Sequence, residues 1–180
     1  MAKVKGSIVV GVIKRAKRES GVLDRLSSED REFVATTRIQ PSQWYPIEVM
    51  ERVTLAIEKV VVGRNDGSLL WSFGTEMAKV QLNGLYAIFR VEGDPQRQIE
   101  RVPTIWKAFF DDGSWTVSRL GDRHLELALS DATSTTPVLC LSAGGFLEEA
   151  CRMAGGPSAA LEKSACRLHG ADACRYDLTW

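Results

Sequence analysis

Apolar residues recur at helical spacing through the first two-thirds of the chain and at alternate positions in much of the remainder. Ile8, Val9, Val12, Ile13 and Ala16 predict a first helix over 7–20, stopped at Gly21. In "VLDRLSSEDREFV", Ser27 followed three residues later by Asp30 predicts a cap between two short helices. The clearest pattern is "PSQWYPIEVMERVTLAIEKVVVG": Pro46 reads as part of the first turn, and Ile47, Met50, Val53, Thr54, Ile57 and Val61 form a stripe that ends at Gly63. "SLLWSFGTEMAKVQL" follows the same logic, and "LYAIFRV" reads as a further short helix. Ile99, Val102, Ile105, Trp106, Phe109 and Phe110 then mark a helix that Pro103 should bend.

At "DDG" the period falls to two. "SWTVSRLGDRHLELALS" predicts a hairpin with Leu125, Leu127 and Leu129 on one face and His124 and Glu126 on the other. "PVLCLSAGGFLEEACRMAGG" returns to helix, and "SACRLHGADACRYDLTW" reads as a second hairpin. The expected fold class is therefore α/β in the α+β sense, one domain over 1–180. A helical lobe over 1–110 precedes a ββαββ unit over 111–180, giving a small antiparallel four-stranded sheet with a helix between its two hairpins.

Charge narrows the partners. Lys and Arg number 23, as do Asp and Glu, so no global field favours nucleic acid. Six basic residues precede the first acid, Glu19, but the basic face of that amphipathic helix reads as solvated. "SIVVGVI" is too short for a membrane span and lacks a cleavage site, so a cytoplasmic protein without stable membrane insertion is expected. Four cysteines are too few for a secreted disulfide scaffold.

The terminal hairpin holds the candidate chemistry. With its turn centred on Gly170, Cys166 and Cys174 oppose each other, their Cβ atoms about 4.5–5.5 Å apart. Alternation puts them inward with Leu168, Tyr176, Leu178 and Trp180. Three readings stay open: buried core thiols, a structural zinc site, or a disulfide, which at that spacing would be strained. Cys140 and Cys151 lie about 16 Å apart along their helix and cannot share a metal. Cys151, nearer the hairpin in sequence, is the candidate third ligand, with Glu148 or Glu162 as the fourth.

Enzyme chemistry finds little support, since GxxxxGK, GxGxxG, HExxH and GxSxG are all absent. Glu148 and Glu149 diverge on a helix and read as a solvated face. Trp71, Phe73, Tyr86, Phe89, Trp106, Phe109 and Phe110 are candidates to line an apolar pocket between lobe and sheet, or else to fill the core.

The motifs "VKGSIVVGVI", "WYP", "LLWSFG", "WKAFFDDGSWTV", "LCLSAGGFLEEA" and "CRLHGADACRYDLTW" occur in an order that resembles one superfamily. It comprises the haem nitric-oxide/oxygen-binding (H-NOX) domains, the vinyl-four-reductase sensory domains and the TRAPP tethering subunits; an uncharacterised family of myxobacterial paralogues is most similar. The resemblance covers nearly the whole chain and implies an H-NOX/TRAPP-like fold.

Each branch implies something different. H-NOX domains bind haem through a His on a helix before the sheet and carry a Tyr-x-Ser-x-Arg clamp. Here "RQIERVPTIWKAFF" offers Trp106 and no His, the clamp is missing, and His124 and His169 lie in a strand and a turn, so haem is not expected. Vinyl-four-reductase domains bind small aromatic molecules and hold zinc with cysteines and an acid. Cys166 and Cys174 match that cysteine pair. Cys151 stands closer to the hairpin than the pattern expects, and the position of the acid is Lys163, with Glu162 one residue earlier. TRAPP subunits imply pairing and tethering. The expectation is a non-enzymatic regulatory module, without haem, that senses a small apolar ligand. The alternative is a dimerising adaptor that binds a partner protein; a homodimer is expected.

Overall fold

The computed structural model describes residues 2–64, 66–134 and 136–180. Its first element was not expected. Strand β1 (Lys3–Lys5) pairs antiparallel with β2 (Trp44–Pro46), so "WYP" is extended rather than the first turn of a helix. Three-residue strands are too short to show a period.

Between them lie α1 (Gly6–Arg18) and α2 (Ser28–Thr36). Helix α1 buries Ile8, Val9, Val12, Ile13 and Ala16, and ends with Arg15, Lys17 and Arg18 in its last turn, where cations suit the helix dipole. Ser27 caps α2 by accepting the Asp30 N–H at 3.1 Å. Asp30 is itself buried and takes a two-pronged ion pair from Arg52, with both contacts at 2.7 Å. Arg52 sits on α3 (Ile47–Val61), so this pair ties α2 to α3.

Helix α4 (Ser68–Leu82) follows, but the helix expected in "LYAIFRV" shrinks to a single 3-10 turn, Ala87–Phe89. The next helical pattern is divided into α5 (Pro95–Glu100) and α6 (Val102–Phe109), which meet at Arg101 just before Pro103. Proline lacks the N–H that would continue the ladder, so the expected bend is a break.

Strands β3 (Ser114–Gly121) and β4 (His124–Ser130), helix α7 (Pro137–Met153), and strands β5 (Ala160–Ala165) and β6 (Cys174–Thr179) form the ββαββ unit. The sheet is antiparallel, in the order β3-β4-β6-β5. Leu125, Leu127, Leu129, Tyr176 and Leu178 are buried on its inner face.

Helix α7 is packed between this sheet and α4, with eleven residues buried. Close approach of α4 and α7 depends on glycine. A Cβ at Gly74 would strike the Ser142 carbonyl oxygen, and one at Gly145 would strike the Trp71 carbonyl oxygen. Gly144 leaves room for the Trp71 ring. No helix among the described residues is long and apolar enough to cross a membrane.

Two stability predictions follow from these contacts. Gly74→Ala and Gly145→Ala should each cost about 2–4 kcal/mol in urea unfolding, because the helices must separate, and the double variant should lose less than the sum. Asp30→Asn should cost about 1–2 kcal/mol at neutral pH, a figure discounted because half of Arg52 is in water. The Arg52 hydrogen bond, opposed by burial, holds the Asp30 carboxyl below its ordinary 3.8. The pair's contribution is therefore full above that value and lost as pH falls through the lower folded value. The wild-type advantage over Asp30→Asn should shrink as pH falls below 3.8.

Candidate functional site

The last hairpin is not the simple ladder that alternation predicts. Near its turn the register is as expected, with Ala165 opposite Arg175. One step further the ladder shifts, and Lys163 instead of Ser164 faces Tyr176. This bulge turns Lys163 inward, because one extra residue on β5 exchanges the faces of everything before it. Leu168, expected inward, lies in the 3-10 turn Arg167–His169 and is 40% exposed.

Lys163 Nζ reaches 2.9 Å from Cys140 Sγ and 3.0 Å from Cys166 Sγ. With Cys174, these cysteines place three sulfurs within 4.8 Å of one another. The third cysteine is thus Cys140, on the first turn of α7, and not Cys151. Tyr176 fixes that turn over β6 by donating its hydroxyl proton to the Cys140 carbonyl at 2.7 Å. Cys151 lies at the other end of α7, fully buried, beside Gly156. Proximity in sequence misled here, because the helix runs back across the sheet.

The expected acids are also elsewhere. Glu162 faces outward on β5, paired with Asp177 in register. Glu148 accepts the Trp71 indole N–H at 3.1 Å and an Arg152 contact at 2.8 Å. Glu149 is buried and lies 3.6 Å from Lys79, so this stretch of α7 is an ion-paired seam and not a solvated face. Three thiols at this spacing could hold a metal ion. The set of three cysteines and an acid that the resemblance implies is not assembled, since a lysine nitrogen stands among the sulfurs.

Burial sets the thiol chemistry. It pushes Cys140 up to about 11 and Cys151 up to about 12. Cys166 is only half-buried. Burial raises it too, but the Lys163 hydrogen bond, a backbone N–H and the lysine charge together bring it below its ordinary value. Lys163 is lowered by burial and raised more by its two sulfur partners, so it ends above its ordinary value.

The seven predicted pocket aromatics do not line one cavity. Trp71 packs on Gly144. Tyr86 meets Phe109 edge-on at 4.5 Å and stacks with Phe89 at 6.1 Å. Trp106 stacks on Phe110 at 4.1 Å and meets Trp115 at 5.6 Å. The space remaining beside Trp106, Phe109 and Phe110 is about 20 Å³, enough for one water at most. Of the seven, Phe73 and Phe110 reach a larger void among the described residues, a cleft of about 520 Å³ between α1, α3, α4 and α7.

That cleft is apolar inside, with Ile8, Val12, Met50, Phe73, Met77 and Val138 among its walls, and basic at the α1 rim through Lys14, Arg15 and Arg18. The Arg15 guanidinium lies 4.6 Å over the Phe73 ring, and its Nη1 is 3.7 Å from Glu76. Its Nε, 3.8 Å from Glu19, is beyond hydrogen-bond reach, and both it and the lining Ser7 Oγ are buried without a partner. No His, Cys or Tyr lines the cleft, and its soft donors are Met50 and Met77. The donor set does not fit a haem held by any of those three residues. His124 and His169 lie in β4 and the hairpin turn, away from its walls.

Solved structures share the fold. The unliganded Fe(II) H-NOX protein from K. algicida aligns with a TM-score of 0.69 at 10% identity, over 97% of this chain and 95% of its own. The H-NOX protein from S. oneidensis in the Fe(II)NO state gives 0.68 at 13% identity, over 97% of each chain. At such identity the likeness is one of fold alone. No curated protein matches the sequence. Residues 19–180 match the family model described as "Protein of unknown function (DUF2378)", and the chain belongs to that family.

Proposed function

We propose that this protein is a non-enzymatic regulatory module that binds a small organic molecule, without haem, in the cleft between α1 and α4. The observation that carries the reading is the cleft itself: about 520 Å³ falls within the range of small-molecule sites. Its chemistry suits an apolar body with an anionic end. The body lies against Phe73, Met77 and Val12, and the anion meets the Arg15 guanidinium at the α1 rim. Zinc, one of the readings left open by the sequence at the terminal cysteines, would enter the thiol cluster only by displacing the Lys163 ammonium.

A second reading has one observation in its favour. Val80, Leu85 and Ile88 are 67%, 70% and 81% exposed at the end of α4 and just beyond, an apolar patch that suits a dimerising adaptor. Light scattering with Leu85→Asp and Ile88→Asp separates the two, since only the adaptor reading needs the patch.

The cleft reading is tested by calorimetry with 2-naphthoate as probe. One site per chain is expected, with 2-naphthylmethanol at least about fivefold weaker because Arg15 has no anion to meet. Gly11→Phe should weaken 2-naphthoate at least about tenfold without loss of stability, since a Cβ at Gly11 meets nothing within 4 Å and the ring fills the cleft. Equal affinity in wild type and Gly11→Phe would sink the proposal. Titration with haemin should give no stoichiometric Soret band; a stoichiometric band would overturn the haem-free part.

A further inference from the structure

Three sulfurs within 4.8 Å of one another is the arrangement of a metal site, yet the cation beside two of them is the chain's own Lys163. The partners of the cluster are Lys163 Nζ on Cys140 and Cys166, the Arg167 backbone N–H on Cys174 at 3.5 Å, and the Pro137 carbonyl near Cys140 at 3.5 Å. Among the described residues no carboxylate hydrogen-bonds to them. From β6, Tyr176 offers its ring face, 6.0 Å from Lys163 Nζ. A half-buried ammonium with no carboxylate to neutralise it stabilises negative charge on the sulfurs it touches.

The thiols differ in access. Cys140, Cys151 and Cys174 are buried, whereas Cys166 is half-buried at the mouth of the turn. We infer that Cys166 is a lysine-paired thiolate that hydroperoxides oxidise, with Cys174 as the resolving thiol: a modification site at the end of the fold. The cluster lies apart from the cleft walls, so the inference does not rest on the ligand proposal.

The chemistry balances. The Cys166 thiolate attacks the terminal oxygen of a hydroperoxide, an S–O bond forms and the O–O bond breaks. The leaving alkoxide or hydroxide takes a proton from the Lys163 ammonium and departs as alcohol or water. Cys174 then attacks Cys166 Sγ, an S–S bond forms, and the sulfenic oxygen leaves as water with the Cys174 proton. The two thiols lose two electrons and the peroxide gains them.

The Cys166 and Cys174 sulfurs lie within 4.8 Å of each other, so an S–S bond of about 2.0 Å forms with a small shift of the turn. Thiol–disulfide exchange with a small dithiol reverses the bond, as a switch requires. Both charged and neutral neighbours assist: Lys163 activates Cys166, while burial keeps Cys140 a thiol and out of the first step.

The experiment treats the reduced full-length protein with hydrogen peroxide and follows it by intact mass and non-reducing peptide mapping. Expected are a loss of about 2 Da, a Cys166–Cys174 link reversed by dithiothreitol, and an unchanged rate in Cys151→Ser. Lys163→Met should slow the reaction at least about threefold at pH 7. Should that variant fail to fold, the wild-type pH profile of Cys166 alkylation by iodoacetamide serves instead, with a midpoint below 9.0 expected. Slowing of less than about threefold in Lys163→Met, a midpoint at or above 9.0, or oxidation spread equally to Cys151 would overturn the inference. So would one equivalent of zinc in the purified protein that shields Cys166 from peroxide.

Discussion

Everything else in this fold depends on two helix backbones being able to touch. Gly74 on α4 and Gly145 on α7 each sit against a carbonyl of the other helix, and Gly144 leaves room for the Trp71 ring between them. Glu148 then receives the indole N–H, and Lys79 approaches Glu149, so polar contacts rim the glycine seam. With α7 held against α4, its opposite side is free to cover the sheet. Tyr176 locks that arrangement from below by bonding to the Cys140 carbonyl.

The seam also decides where empty space lies. In the layer between helices and sheet, Trp106, Phe109, Phe110 and Phe146 leave only about 20 Å³. The space is instead beside α1, where Gly11 carries no side chain and Arg15 leans on Phe73. The beginning of α7 serves both features, lining the cleft through Val138 and Ser142 and supplying Cys140 to the thiol cluster.

Much of this was legible in the sequence where period or a local hydrogen bond decides structure. The stripes of α1, α3 and α4, the Ser27 cap, and the alternation of Leu125, Leu127 and Leu129 all report local geometry. What was not legible depends on long-range placement. Strands β1 and β2 are three residues each and take shape only by pairing with each other. Cys140 rather than Cys151 joins the cluster because of the path α7 takes over β6, which spacing along the chain does not encode. Lys163 turns inward through a bulge that interrupts the very alternation used to read the hairpin. One signal was available: a lysine at the position where the resembling domains place an acid. Of the aromatics, Trp106, Phe109 and Phe110 are buried and Trp71, Phe73, Tyr86 and Phe89 half-buried, and residue type alone does not say whether rings enclose a cavity or fill it.

The central claim is that the ligand space of this chain is the cleft beside α1 and not the aromatic layer between helices and sheet. A crystal soaked with 4-bromobenzoate tests it most directly, because the bromine reports its own position by anomalous scattering. The account predicts a single peak between α1 and α4, with the carboxylate toward Arg15. A peak among Trp106, Phe109 and Phe146, with the cleft empty, would contradict it.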